Sequence, residues 1–212
     1  MIENYYDLNK TGTLIVSQYR SGTHFLHDAL LDTLGNTASG HGEICNDNTI
    51  NQLQQLTTIP DYKICILNNV EPKFYLIAQH ELLSKWHVVH LTRNQKIHHF
   101  ISYWFWLQNT LSEQKDNTGK FLHHNTSTEQ YKQYIKQKHY FSIGKVIVWL
   151  QEQLISHHIP ANIKIDYADL VTIGTKNIVW KPNKYDDITL ADIFENHIEI
   201  QHFLENFKIE SI

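Results

Sequence analysis

At 212 residues, 42% apolar and 19% charged, the chain has the material for one sizeable α/β domain spanning residues 1–212. A formal net charge of −4 with no long basic run argues against wrapping a nucleic-acid backbone, so a polyanionic ligand is expected to be small and held locally. No stretch is apolar for long enough to span a bilayer, and the opening MIENYYDLNKTG lacks a basic-then-apolar leader, so a soluble, cytoplasmic protein is expected. Cys45 and Cys65 fit no paired metal motif and read as free thiols.

The first apolar run, TLIVS (13–17), reads as a strand. A short polar turn follows, and then a helix over 23–34, with Phe25, Leu26, Ala29, Leu30 and Leu34 as its apolar stripe and Gly35 at its C-terminal cap. GHGEICND (40–47) reads as a glycine-flanked loop carrying Glu43. Further strands are expected at YKICIL (62–67), WHVVHLT (86–92) and IKIDY (163–167), with helices near 72–84, 96–111, within 129–157, and at 189–207. The segment 105–131 is long for a connector and suits a lid or an acceptor-binding loop, with Trp104, Trp106 and Phe121 as its aromatics. Core packing is the expected role of Trp104. Alternating strands and helices imply a central parallel sheet with helices on both faces. Ligands of such sheets bind at the carboxyl ends of the strands, here the loops beginning near Gln18, Asn68, Arg93 and Ala168.

The turn after the first strand is built to hold an anion. Ser21 and Thr23 bracket Gly22, so the first-turn amides of the helix point back toward the strand end with the helix dipole behind them. Gly22 allows close backbone approach, the two hydroxyls add donors, and Arg20 adds a permanent charge on a planar fork. A nucleotide kinase loop, G-x-x-x-x-G-K-[ST], would need an early glycine and a lysine before the hydroxyl; SQYRSGTH (17–24) has neither. A plain strand–turn–helix with a capping hydroxyl would carry the same letters. Arg93 then stands at a second strand end, with Lys96 and Ser102 on the helix that follows. Two such clamps suit a ligand with two separated phosphates.

SQYRSGTHFL resembles the 5′-phosphosulfate loop of sulfotransferases, and LTRNQKIHHFISYW resembles their 3′-phosphate motif. The interval from Arg93 to Ser102 is one residue longer than in cytosolic animal enzymes and is similar to that of bacterial trehalose-type enzymes, which also place a lysine where Lys96 stands. The resemblance is weaker at SGHGEIC, at IKIDYADL (163–170) and at 189–204. It implies a P-loop NTPase-like sulfotransferase fold and the donor 3′-phosphoadenosine-5′-phosphosulfate (PAPS), with no metal required. It also implies donor contacts from Arg20, Ser21, Gly22, Thr23, His24, Arg93 and Ser102. His24 replaces the Ser or Thr usual in the family, and Arg20 matches the arginine common in carbohydrate and protein-tyrosine sulfotransferases.

The resemblance places a catalytic carboxylate at Glu43, with His41 and His24 as rival bases near neutral pH. Lys63 and Lys181 could also touch the donor, but lysines on a strand or loop are usually just solvated. The acceptor is expected to be a carbohydrate or other small molecule, and oligomeric state is not readable. A nucleotide-dependent kinase, or a non-catalytic nucleotide-binding protein of the same fold, are the alternatives. Despite 15 histidines, no H-E-x-x-H occurs, and the adjacent pairs cannot both present ligands from one regular helix face, so no metal site is expected.

Overall fold

A computed structural model describes residues 2–18, 21–44, 49–68, 83–112, 135, 137–157, 159–173, 175, 177–178 and 187–207. The chain divides into two compact units, Met1–Asn94 with Gln153–Trp180, and Gln95–Glu152 with Lys181–Ile212.

The first unit holds a parallel sheet of five strands: β1 (Gly12–Ser17), β2 (Ala38–Glu43), β3 (Tyr62–Asn68), β4 (Trp86–Thr92) and β5 (Ile163–Asp166). Their order is β2-β3-β1-β4-β5, and Ile15 of the central strand pairs with Ile66 on one side and Val89 on the other. Alternate residues face opposite sides. Leu14, Val16, Cys65, Leu67, Trp86 and Val88 pack with Leu53 of α2 (Thr49–Leu56), while Ile15, Ile64, Ile66, Val89 and Leu91 pack with Leu26, Ala29 and Leu30 of α1 (Thr23–Leu34). Burial on both faces explains why β1, β3 and β4 read as nearly continuous apolar runs. The connection from β1 to β2 runs one way along the sheet and that from β2 to β3 runs back. Right-handed crossovers then require α1 and α2 to lie on opposite faces, as they do.

The second unit contains α3 (Lys96–Ser112), the start of α4 (Ile143–His157), α5 (Leu190–Ile193) and α6 (His197–Asn206). Its core is aromatic: Phe100 meets Trp149 edge-on at 5.2 Å and Phe141 at 5.4 Å, and Trp104 meets Phe194 at 5.6 Å. Trp104 is thus a core residue, whereas Trp106 is half-buried and stacks on Tyr103. Among the described residues no helix is long and apolar enough to cross a membrane.

Three expectations change. The stretch read as a glycine-flanked loop opens in strand β2, whose pairing shifts register between Gly40 and Glu43. The helix α2 had no counterpart in the sequence reading. The single helix expected at 189–207 is two, because Phe194 turns extended (φ −117°, ψ 138°) and bridges to His139. There His139 N–H donates to Ile193 O and Glu195 N–H to His139 O, so the backbone leaves the helix for a strand-like pair. Residues 69–82 and 113–134 lie outside the described residues, and with them most of the expected 72–84 helix, the middle of the 105–131 segment and Phe121.

Candidate functional site

The site is assembled at the carboxyl edge of the first unit's sheet. β1 ends at Ser17, in register with Asn68 at the end of β3. Ser17 Oγ lies 2.8 Å from the Gln18 carbonyl and 2.9 Å from Asn68 Oδ1, fastening two neighbouring strand ends below the turn.

Gly22 is the N-cap of α1 in the left-handed region (φ 86°, ψ 20°), a conformation that costs other residues about 1–2 kcal/mol. The first helical bond runs from Leu26 N–H to Gly22 O, so the amides of residues 22–25 precede the intrahelical ladder. The first turn carries no acidic side chain, and Gly22 supplies no side-chain cap, so no carboxylate on α1 neutralises the positive end of the dipole. Ser21 and Thr23 are buried within the turn, and His24 is exposed. Arg20 lies outside the described residues.

Arg93 leaves the end of β4, the strand hydrogen-bonded beside β1. It is only 7% exposed, and its guanidinium carbon sits 4.0 Å above the centroid of the Tyr167 ring. Such a cation–π pair is worth about 0.5–2 kcal/mol. Tyr167 begins a 3-10 turn (Tyr167–Thr172) immediately after β5. The same ring closes on Gly22: a β-carbon there would lie 3.1 and 3.2 Å from Tyr167 Cδ2 and Cε2, and 2.7 Å from Leu170 Cδ1. Asp166 fixes the backbone beneath the stack. Its Oδ2 accepts from Asn94 N–H and its Oδ1 from Ala168 N–H, each at 2.9 Å.

Glu43 is the last residue of β2, and Ile44 N–H continues the pairing by donating to Ile66 O at 2.8 Å. Its backbone therefore reaches the same carboxyl edge on a strand rather than in a loop; the Glu43 side chain lies outside the described residues. The rival His41 is half-buried, with Nε2 3.1 Å from Ser39 Oγ. Ser102 is 2% exposed on α3, and Lys96 opens that helix, both in the second unit, whereas Arg93 belongs to the first.

Lys63 does not join the site. It pairs with Gly12 at the amino end of the sheet, and its Nζ donates to Ile59 O. Burial pushes its ammonium pKa down. Lys181 lies outside the described residues. Among the described residues, no three His, Cys, Asp or Glu side chains are grouped to hold a metal ion.

The residues missed by sequence reasoning are Tyr167, Asp166 and the Ser17–Asn68 pair. The weak resemblance at IKIDYADL (163–170) was the available signal, and it says nothing about what the ring will touch. Comparison with protein-family models, curated proteins and solved structures finds no match to this chain.

Proposed function

We propose that the chain is a PAPS-dependent sulfotransferase acting on the hydroxyl of a carbohydrate or other small molecule. The observation that carries this reading is the pairing of β1 with β4. It brings the Gly22 turn and Arg93 out from adjacent parallel strands, at the point where one connection leaves toward β2 and the other toward β5. Ligands of open α/β sheets occupy the crevice at such a reversal. The motif resemblance supplies the rest: SQYRSGTHFL for the phosphosulfate and Arg93 with Ser102 for the 3′-phosphate.

In this mechanism the amides at the start of α1, with Arg20, Ser21, Gly22, Thr23 and His24, hold the 5′-phosphosulfate. The motif resemblance assigns Arg93 and Ser102 to the 3′-phosphate. Glu43 takes the proton of the acceptor hydroxyl as its oxygen attacks sulfur. A new S–O bond to the acceptor forms, the bridging S–O bond breaks, and adenosine 3′,5′-bisphosphate leaves. Charge grows on the bridging oxygen, where the amides and Arg20 stabilise it; losing one such donor typically costs about 10²–10³ in rate. The sulfonate carries less charge than a phosphoryl group, so no metal is needed. A kinase would need the lysine that SQYRSGTH lacks.

The test is transfer of labelled sulfonate from PAPS to a panel of sugars, lipids and phenols. Incorporation into one class supports the reading. Phosphate transfer from ATP by the same protein, without sulfonate transfer from PAPS, overturns it.

A further inference from the structure

We infer that Tyr167 is a positioning residue that ties the Gly22 turn to Arg93 and so sets the spacing of two anion-binding elements. Its consequence for ligand binding rests on the sulfotransferase reading; its geometry does not. Arg93 lies over the face of the ring at 4.0 Å from its centroid, while a β-carbon at Gly22 would come within 3.1 and 3.2 Å of the ring's Cδ2 and Cε2 atoms. One ring therefore touches both elements. It is itself held by Asp166, which binds the amide following Arg93 and the amide following Tyr167. Leu170 and Ile173 anchor the same turn in the core of the first unit.

The stacked arrangement has a chemical consequence. A guanidinium lying over a ring face is held through its carbon, and its N–H donors lie in the guanidinium plane. Its rotamer is selected before an anion arrives, so binding need not order it. Tyr167 touches neither the donor nor the reacting atoms in this role. It acts through Arg93 and through the turn.

The experiment pairs a spectroscopic signature with binding. In arginine-labelled protein, the Arg93 Nε–Hε resonance, assigned by its loss in Arg93→Lys, is shifted upfield by the ring. Tyr167→Phe keeps that shift and Tyr167→Leu abolishes it. Gly22→Ala moves it through the displaced ring. Calorimetric titration with adenosine 3′,5′-bisphosphate then gives Tyr167→Phe an affinity within about twofold of wild type, and Tyr167→Leu a loss of about 3–30-fold. Ile173→Ala, which truncates a buried core residue just past the same turn and leaves the Tyr167 ring in place, keeps both the shift and the affinity. An unshifted resonance in wild type, an unaltered one in Tyr167→Leu, full affinity in Tyr167→Leu, or an equal loss in Ile173→Ala overturns the inference. A wild-type protein that shows the resonance but binds no bisphosphate refutes the sulfotransferase reading and leaves the tie standing.

Discussion

Replacing Gly22 by alanine tests the turn at its tightest point. The backbone there sits at φ 86°, which costs a residue with a β-carbon about 1–2 kcal/mol. The new methyl would also meet Leu170 Cδ1 at 2.7 Å and the Tyr167 ring at 3.1 Å. Overpacking of this kind typically costs about 1–3 kcal/mol, and the flexible leucine methyl puts this case toward the lower half. Together the two effects give about 2–4 kcal/mol. For a chain of this length that lowers Tm by roughly 5–15 °C. The diagnostic measurement is a double-mutant cycle with Leu170→Ala, followed by urea denaturation with far-ultraviolet circular dichroism. Leu170 is fully buried, so its truncation alone should cost about 2–5 kcal/mol. In the Gly22→Ala background it also removes the closest clash, and the two changes should fall short of additive by about 1 kcal/mol or more. Additivity to within about 0.5 kcal/mol, or a neutral Gly22→Ala, would refute the packing argument.

Three further outcomes are expected. The Asp32 carboxylate accepts hydrogen bonds from the Thr175 hydroxyl and the Asn177 amide, which hold its pKa below the ordinary 3.8. The unfolded state then binds the proton more readily, so this contribution is complete above the ordinary value and fades as pH falls through the folded one. Wild type should therefore lose its stability advantage over Asp32→Ala in acid, and an advantage that grew on acidification would contradict the pairing. Burial pushes the Cys65 thiol up to about 12 from 9.0, so in a Cys45→Ser variant a disulfide reagent at about pH 8 should leave the native thiol unmodified and label it on unfolding. Rapid labelling of the native protein would show that the thiol is accessible. Finally, Glu43→Gln should keep bisphosphate affinity while reducing sulfonate transfer by about 10²-fold or more; an active variant removes Glu43 as the base.

The parts of the fold legible in the sequence are those with one dominant cause. α1 has the expected bounds, 23–34, because an unbroken apolar stripe lies between a glycine at each end. β3 and β4 are legible because both faces are buried and little but apolar side chains will serve. β2 hid for the opposite reason. It is an edge strand with glycines at 40 and 42, and its register slips before Glu43, so neither alternation nor propensity marks it. The break at Phe194 is invisible locally because its cause is His139, distant in sequence.

The site divides along the same line. Ser21, Gly22, Thr23 and Arg93 reach the carboxyl edge as their strand-end positions imply. Tyr167 owes its place to contacts with Arg93 and Gly22, which no local pattern records. Lys63 shows the limit of composition alone. A lysine on a strand left a donor contact or a solvated side chain open; its register places it at the opposite end of the sheet and its side chain is buried, so it is neither.

The central claim is that the carboxyl edge holds an adenosine carrying separate 3′- and 5′-phosphates. The most direct measurement is the thermal shift of the protein with adenosine 3′,5′-bisphosphate, set against ATP with magnesium. At about 100 times Kd a ligand adds roughly 2.7 kcal/mol, which at this length means several degrees. The account predicts that shift with the bisphosphate and its reduction in Arg93→Ala. A shift with ATP and magnesium alone would contradict it.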